Sequence, residues 1–140
     1  RNTASEVSDP RAKTDGKYSW SAKYGETAND AFNEIKKLVL QVIAASQKDQ
    51  FELIDHIDLW DVVKWKIAYL YNNDNLMPIY KKEMLERVAE SQGMEQPQHH
   101  SMSELYAYIL SNKDSSSELL VELTGFLPLS RVLLPFLSAI

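Results

Sequence analysis

The distribution of apolar side chains along the chain predicts helices, and the clearest of these begins near Thr27. Large apolar residues follow Thr27 at intervals of three and four, which is the spacing of one buried helical face. They are Phe32, Ile35, Leu38, Val39, Val42 and Ile43. Asp30 lies three residues after Thr27, as in a capping box, in which the two residues bond the free N–H groups of the first turn. We therefore expect a helix from Thr27 through Ala45.

Similar spacing predicts shorter helices in the rest of the chain. Their ranges are 50–57, 81–91, 101–110 and 115–125. Gly93 follows the second range and can adopt the left-handed conformation that often ends a helix. Ser101 and Glu104 form a second capping-box pair at the start of the third range. Pro97 separates these two helices, because proline lacks the backbone N–H that a helix interior needs.

The stretch 58–80 is the densest in large side chains, and we expect it at the centre of the core. It contains two of the three tryptophans and three of the seven tyrosines. Asp58 and Asp61 are also three residues apart, so Asp58 is expected to cap a short helix at the start of this stretch.

The second half of this stretch is open to two interpretations. Two apolar runs, 67–71 and 76–80, flank the turn-like Asn/Asp run 72–75, which is typical of a β-hairpin. Alternatively, the helix that begins near Asp58 continues to Tyr71 and ends at the asparagines. We favour a helix that leads into a short hairpin near 67–80.

The two ends of the chain differ from its middle. Residues 1–17 are polar and carry one apolar side chain of any size, so we expect a disordered lead or linker there. Residues 18–140 are expected to form a single, mainly α domain of about five to six helices. The tail 126–140 is largely apolar, but it is too short, and with its two prolines too interrupted, to span a bilayer. It either packs into the core or covers an interface with the rest of a longer chain or a second copy.

Composition narrows the functional classes. The chain of 140 residues has a formal net charge of −5, unlike the basic balance of a dedicated nucleic-acid-binding protein. It contains no cysteine, which excludes disulfides, thiolate metal sites and cysteine nucleophiles. It begins at Arg1 without an initiator methionine or a secretory signal, so we expect a piece of a longer, cytoplasmic protein.

Catalytic and cofactor-binding motifs are not evident in the sequence. The one Gly-Lys pair, at Gly16, lacks the glycine-rich turn of a phosphate-binding loop. His99 and His100 are adjacent and therefore tend to point apart, so they do not predict a metal site. His56 lies beside Asp55, but no motif places a nucleophile next to it. We expect no enzymatic activity, no metal and no cofactor.

A small group of basic residues is the candidate binding site. Its members are Lys64, Lys66, Lys81, Lys82 and Arg87. If the hairpin near 67–80 forms, these side chains could meet on one side and bind the phosphates of DNA or an acidic partner. The alternative is an ordinary solvated surface with Trp65 in the core, since lysines are usually exposed.

One further pattern runs through residues 20–110. It comprises Trp20, Lys23, Tyr24, Gly25, Ala31, Phe32, 57–59, 64–71, 77–80 and Leu85. With these residues, the stretch resembles a region of McrB-like proteins of bacterial restriction systems. In that family such a region precedes an AAA+ motor that hydrolyses GTP or ATP and works with a nuclease. The resemblance implies a non-catalytic accessory domain that contributes subunit assembly or DNA contact, and it assigns no binding residue.

Two functional hypotheses follow. The first is such an accessory domain, with the rest of its parent chain or other subunits as partners, and with protein contact favoured over DNA because the net charge is negative. The second is a stand-alone helical domain that forms homo-oligomers through the apolar tail 126–140. Neither hypothesis places the protein in a membrane.

Overall fold

The computed structural model describes residues 9–112, and most of these residues are helical. Two short strands come first, β1 (Ala12–Thr14) and β2 (Ser19–Ser21). Five helices follow, α1 (Ala28–Gln47), α2 (Phe51–Asp55), α3 (Asp61–Tyr71), α4 (Lys82–Ser91) and α5 (Met102–Ser111). The expectation of a mainly α fold is confirmed. The helix predicted over 115–125 and the tail 126–140 lie outside the described residues.

Both predicted capping boxes are present. The Thr27 hydroxyl accepts a hydrogen bond from the Asp30 N–H at 3.2 Å, and the Asp30 carboxylate accepts one from the Thr27 N–H at 3.2 Å. Ser101 and Glu104 make the same pair of bonds at the start of α5, at 3.3 and 2.8 Å. Gly93 has φ of 93° just beyond the end of α4, as predicted. These local signals define the helix ends because each satisfies backbone groups that a helix leaves free.

Helix α1 packs mainly against α3, and its buried face is narrower than the sequence predicts. Leu38, Val42 and Ala45 are buried, whereas Phe32 is 63% exposed. At the first turns of α1 the small side chain of Ala31 is the buried one, where the helix meets the β1–β2 hairpin. Phe32 lies one position further round the helix, about 100° away, and so points outward.

The core lies where the densest part of the sequence predicts it. Trp65 is fully buried, and its ring packs against Tyr106 of α5 with the centroids 5.0 Å apart. The irregular segment 72–81 adds the buried side chains of Leu76, Met77 and Ile79. The Tyr106 hydroxyl donates a hydrogen bond to the Ile79 carbonyl and so fastens this segment to α5.

The predicted hairpin near 67–80 is wrong. Helix α3 continues to Tyr71, and the second apolar run, 76–80, contains no strand. The buried residues of α3 are Lys64, Trp65 and Ala68, at helical spacing, so burial of one helical face outweighs the strand propensity of the aromatic run. Asp58 does not cap this helix, since Trp60 occupies the N-cap position.

Asparagine side chains explain why α3 ends where it does. The Asn72 amide donates to the Ser46 carbonyl at 2.6 Å and to the Asp49 carboxylate at 2.7 Å. Asn75 donates to the same carboxylate at 2.9 Å. Asp49 itself has φ of 57° just past the end of α1. The residues that looked like a hairpin turn therefore fasten the end of α3 to the end of α1.

The sheet within residues 9–112 consists of β1 and β2, paired antiparallel with Lys13 opposite Trp20. Strand β1 falls inside the range 1–17 for which the sequence predicts a disordered lead, so the described part of that range carries regular structure. The turn between the strands is closed by Asp15, whose carboxylate accepts the N–H groups of Lys17 and Tyr18 at 2.9 and 2.7 Å.

Candidate interaction site

Lys64, the first residue of the predicted basic group, is buried and 4% exposed. Its ammonium donates to the carbonyls of Asp55 and Ile57 at 3.0 and 3.2 Å, and it lies 3.0 Å from the Asp61 carboxylate. These contacts join the end of α2 to the start of α3. In this conformation Lys64 is a structural residue and cannot reach a phosphate or an acidic partner.

The other four basic residues are divided between two parts of the fold. Lys66 is exposed on α3, which packs on α1, whereas Arg87 is exposed on α4, which packs on α5. Lys81 is exposed just before α4. The Lys82 ammonium is half-buried, donating to the Gln98 carbonyl at 3.2 Å and lying 3.7 Å from a Glu86 carboxylate oxygen. The hairpin that would have brought these residues together is absent from the described residues.

The histidines and paired carboxylates form local contacts. His99 Nδ1 lies 3.1 Å from the Gln96 side-chain oxygen, and His100 Nδ1 lies 3.4 Å from the Glu104 carboxylate. Both oxygens of the Asp55 carboxylate lie 3.4 Å from the Ser103 N–H in the first turn of α5. Across 9–112, no three His, Asp or Glu side chains are arranged to hold a metal ion. None of the helices described here has the length and apolar character needed to cross a membrane.

A surface groove beside the start of α3 combines aromatic and charged side chains, and we call it the Trp60 groove. It has a volume of about 690 Å³. One wall comes from the N-terminal hairpin and the short 3-10 helix after it, with Arg11, Lys23 and Tyr24. The other wall is the segment 58–61, which includes Trp60.

Long-range contacts hold the two walls of the Trp60 groove together. The Lys23 ammonium donates to the Asp58 carboxylate at 2.7 Å, and the Tyr24 hydroxyl lies 3.3 Å from the Asp58 carbonyl. The Lys23 ammonium also lies 4.8 Å from the centre of the Tyr24 ring. Lys64 also holds the start of the wall formed by 58–61, because its ammonium donates to the carbonyl of Ile57, the residue just before it. Trp60 thus projects from a backbone that is tied on both sides.

The charges along the Trp60 groove compensate each other. The hydrogen bond between the Lys23 ammonium and the Asp58 carboxylate raises the pKa of Lys23 and keeps the ammonium charged. Arg11 binds Asp9 through two side-chain nitrogens at 3.1 and 2.9 Å, and these bonds lower the pKa of Asp9. Because each cation has an acidic partner, the groove has no excess positive charge to attract a phosphate backbone.

Trp60 is the most exposed of the large hydrophobic residues described, at 79%. Tryptophan is enriched at protein interfaces, where burial of its ring contributes more than most other contacts. Sequence reasoning missed this residue, although a signal was present. A helix extended back to Trp60 would place it about 140° from Trp65 and away from the core. In the structure Trp60 is the N-cap residue just before α3.

Comparison of the chain with models of protein families, with curated proteins and with solved structures finds no match.

Proposed function

We propose that this protein is a non-catalytic interaction domain that joins subunits through the Trp60 groove, as an accessory part of a McrB-like restriction ATPase or GTPase. The observation that carries the proposal is the exposed Trp60 ring beside a groove of about 690 Å³ whose two walls are fixed to each other. An aromatic anchor, a preformed backbone and a polar rim are the features that strong protein interfaces share.

Protein contact is better supported than DNA contact. Lys64 is committed to backbone carbonyls, and the Lys23 and Arg11 cations each have a carboxylate partner. The net charge of −5 also opposes association with a polyanion. A protein segment with an apolar side chain for Trp60 and polar groups for the rim fits the groove better.

The McrB-like part of the proposal rests on the sequence resemblance over residues 20–110. Several residues that carry it contribute to the Trp60 groove, namely Lys23, Tyr24 and the segment 58–59. In this proposal the domain contacts a neighbouring copy of the same subunit ahead of the motor. The nucleotide chemistry belongs to the motor and not to this domain.

Sedimentation equilibrium of the 140-residue chain tests the assembly role. We expect reversible self-association that Trp60→Ser weakens by at least about tenfold in Kd, because interface tryptophans contribute about 2 kcal/mol or more. Phe32→Ser is the matched control, since Phe32 is also an exposed aromatic residue but lies outside the Trp60 groove. Equal association of the wild type and the Trp60→Ser variant would contradict the proposal.

A salt series with plain and cytosine-modified DNA duplexes tests the competing role. We expect no specific binding near physiological salt. Binding that weakens steeply with salt and with Lys66→Ala plus Arg87→Ala would instead assign a DNA-contacting function to the exposed basic residues.

A further inference from the structure

A pocket distinct from the Trp60 groove lies between the β1–β2 hairpin and the first turns of α1, and we call it the hairpin pocket. It has a volume of about 490 Å³, which is in the range of pockets that hold small ligands. Tyr18, Trp20 and Phe32 line it with aromatic rings, and Asp15 adds a carboxylate. Among the described residues, no lysine, arginine or histidine belongs to its lining. The lining is therefore aromatic and carries a negative charge.

The helical side of the hairpin pocket follows from the spacing of residues in α1. Ala28, Ala31, Phe32 and Ile35 are three or four residues apart, so they share one face of the helix. Alanine carries only a methyl group, so Ala28 and Ala31 leave space between the helix and the hairpin. Phe32 belongs to the lining although it is mostly exposed, which places its ring at the mouth of the pocket.

Hydrogen bonds fix the hairpin side of the pocket before any ligand binds. The Trp20 indole N–H donates to the Gly25 carbonyl at 3.0 Å, which holds the ring in place. The Asp15 carboxylate accepts the N–H groups of Tyr18 and Lys17 through one oxygen, Oδ1. These bonds, that from Tyr18 first, lower the pKa of Asp15, so the carboxylate is ionised at neutral pH. A ligand loses less affinity to ordering costs when the side chains that bind it are already held.

A cation of the chain itself already contacts one of the aromatic rings. The Lys17 ammonium lies 5.1 Å from the centre of the Tyr18 ring, within the roughly 6 Å that a cation–π contact requires. Lys17 is not part of the pocket lining, so this contact leaves the pocket open. The Tyr18 ring is thus placed where it attracts positive charge.

We propose that the hairpin pocket binds a methylated ammonium group, held by its aromatic rings and by the Asp15 carboxylate. Aromatic faces and a carboxylate both attract a cation, and the net charge of −5 adds to the attraction. An unmodified ammonium is compact and strongly hydrated, whereas methyl groups lower the cost of leaving water for an aromatic pocket. Free quaternary amines and methylated lysine side chains both carry such a group. The proposal is independent of the Trp60 groove, because no residue lines both sites.

Heteronuclear NMR of the full 140-residue chain tests the proposal, because the chain has three tryptophans and each gives its own indole N–H signal. Choline presents the group on a free small molecule, and a peptide with one trimethyllysine presents it on a protein side chain. Their controls are the neutral isostere of choline, with carbon in place of nitrogen, and the same peptide with unmodified lysine.

We expect a saturable shift of the Trp20 signal with a methylated probe, at a Kd at least about tenfold below that of its control. The methylated probe that binds more tightly identifies the source of the group. Equal affinity of both methylated probes and their controls, or no shift of the Trp20 signal with any probe, would overturn the proposal.

Two substitutions assign the binding to the hairpin pocket. Asp15→Asn keeps an oxygen that accepts the backbone N–H groups but removes the charge, and Phe32→Ser removes one ring. Each should raise the Kd of the methylated probe by at least about threefold. The signal of Trp65 should stay in place in both variants, because this ring is buried in the core. An unchanged Kd in both variants would contradict the assignment.

Trp60→Ser is the matched control, because Trp60 is an exposed aromatic residue outside the hairpin pocket. It should leave the Kd of the methylated probe unchanged while it weakens self-association. Phe32→Ser should do the reverse, so failure of the proposed assembly role and failure of the hairpin pocket are distinguishable. A loss of probe binding in Trp60→Ser equal to that in Phe32→Ser would overturn the proposal.

Discussion

Replacement of Lys64 by methionine is expected to destabilise the domain. Lys64 is 4% exposed, and its ammonium donates to the Asp55 and Ile57 carbonyls. Methionine keeps an unbranched stem of similar length, so packing is nearly preserved while both hydrogen bonds are lost. The variant therefore isolates the contribution of the ammonium group to the junction between α2 and α3.

The size of the effect follows from these contacts. A hydrogen bond that involves a charged group contributes about 1.5–3 kcal/mol, and the pair with Asp61 adds little because that carboxylate is 61% exposed. Burial of the ammonium costs several kcal/mol, and methionine does not incur this cost. The net loss of stability on substitution is therefore smaller than the sum of the two hydrogen bonds. We expect a net loss of about 2 kcal/mol in the free energy of unfolding, or a fall in Tm of roughly 6–10 °C for a chain of this size.

Urea unfolding, followed by circular dichroism, measures this change. Lys66→Met is the matched control, because Lys66 is exposed on the same helix and its replacement should change stability by less than about 0.5 kcal/mol. If Lys64→Met and Lys66→Met had the same stability, the ammonium of Lys64 would not support the fold as its contacts indicate.

Three further substitutions test the packing. Tyr106→Phe removes the hydrogen bond to the Ile79 carbonyl in the irregular segment 72–81 and should lower the free energy of unfolding in urea at neutral pH by about 1–2 kcal/mol. Because burial raises the pKa of Tyr106, its proton is lost more readily on unfolding, so wild-type stability should fall as pH rises above about 10, and fall less in Tyr106→Phe. Gly25→Ala should cost about 2 kcal/mol or more, since the new Cβ would lie 2.6 Å from the Asp30 Cβ. Ser101→Ala should cost about 1 kcal/mol by removing the cap of α5.

Matched controls separate these effects from general sensitivity to mutation. Tyr71→Phe changes an exposed tyrosine and should leave the free energy of unfolding at neutral pH unchanged. Gly16→Ala introduces a side chain at φ of 87° with no atom within 4 Å, so it should show only the backbone cost of about 1 kcal/mol. A Gly25→Ala variant no less stable than Gly16→Ala would contradict the close approach of Gly25 to α1.

Local signals in the sequence predicted the helices well. The pairs at Thr27 and Ser101 identify helix starts because their side chains bond backbone groups only a few residues away. A local signal of the same kind was also present for the β1–β2 hairpin, which the sequence analysis did not predict. The Asp15-Gly16 pair between β1 and β2 is a known hairpin signal, but the polar composition of its surroundings favoured disorder.

Features that depend on tertiary contacts could not be predicted in this way. The run 67–71 has the composition of a strand, and only burial of Trp65 and Ala68 against α1 and α5 makes it a helix. The burial of Lys64 depends on carbonyls at the end of another helix, which the sequence does not place. The Trp60 groove likewise depends on contacts between residues more than thirty positions apart in the chain.

The environment of Trp60 during self-association is the most direct test of the assembly role. Tryptophan emission of the wild type and of Trp60→Phe would be recorded over the concentration range in which the chain associates, and the difference assigned to Trp60. We predict that this difference spectrum shifts to shorter wavelength in step with association, as the exposed ring becomes buried. Association with no change in the Trp60 emission would show that subunits meet elsewhere and would contradict the account.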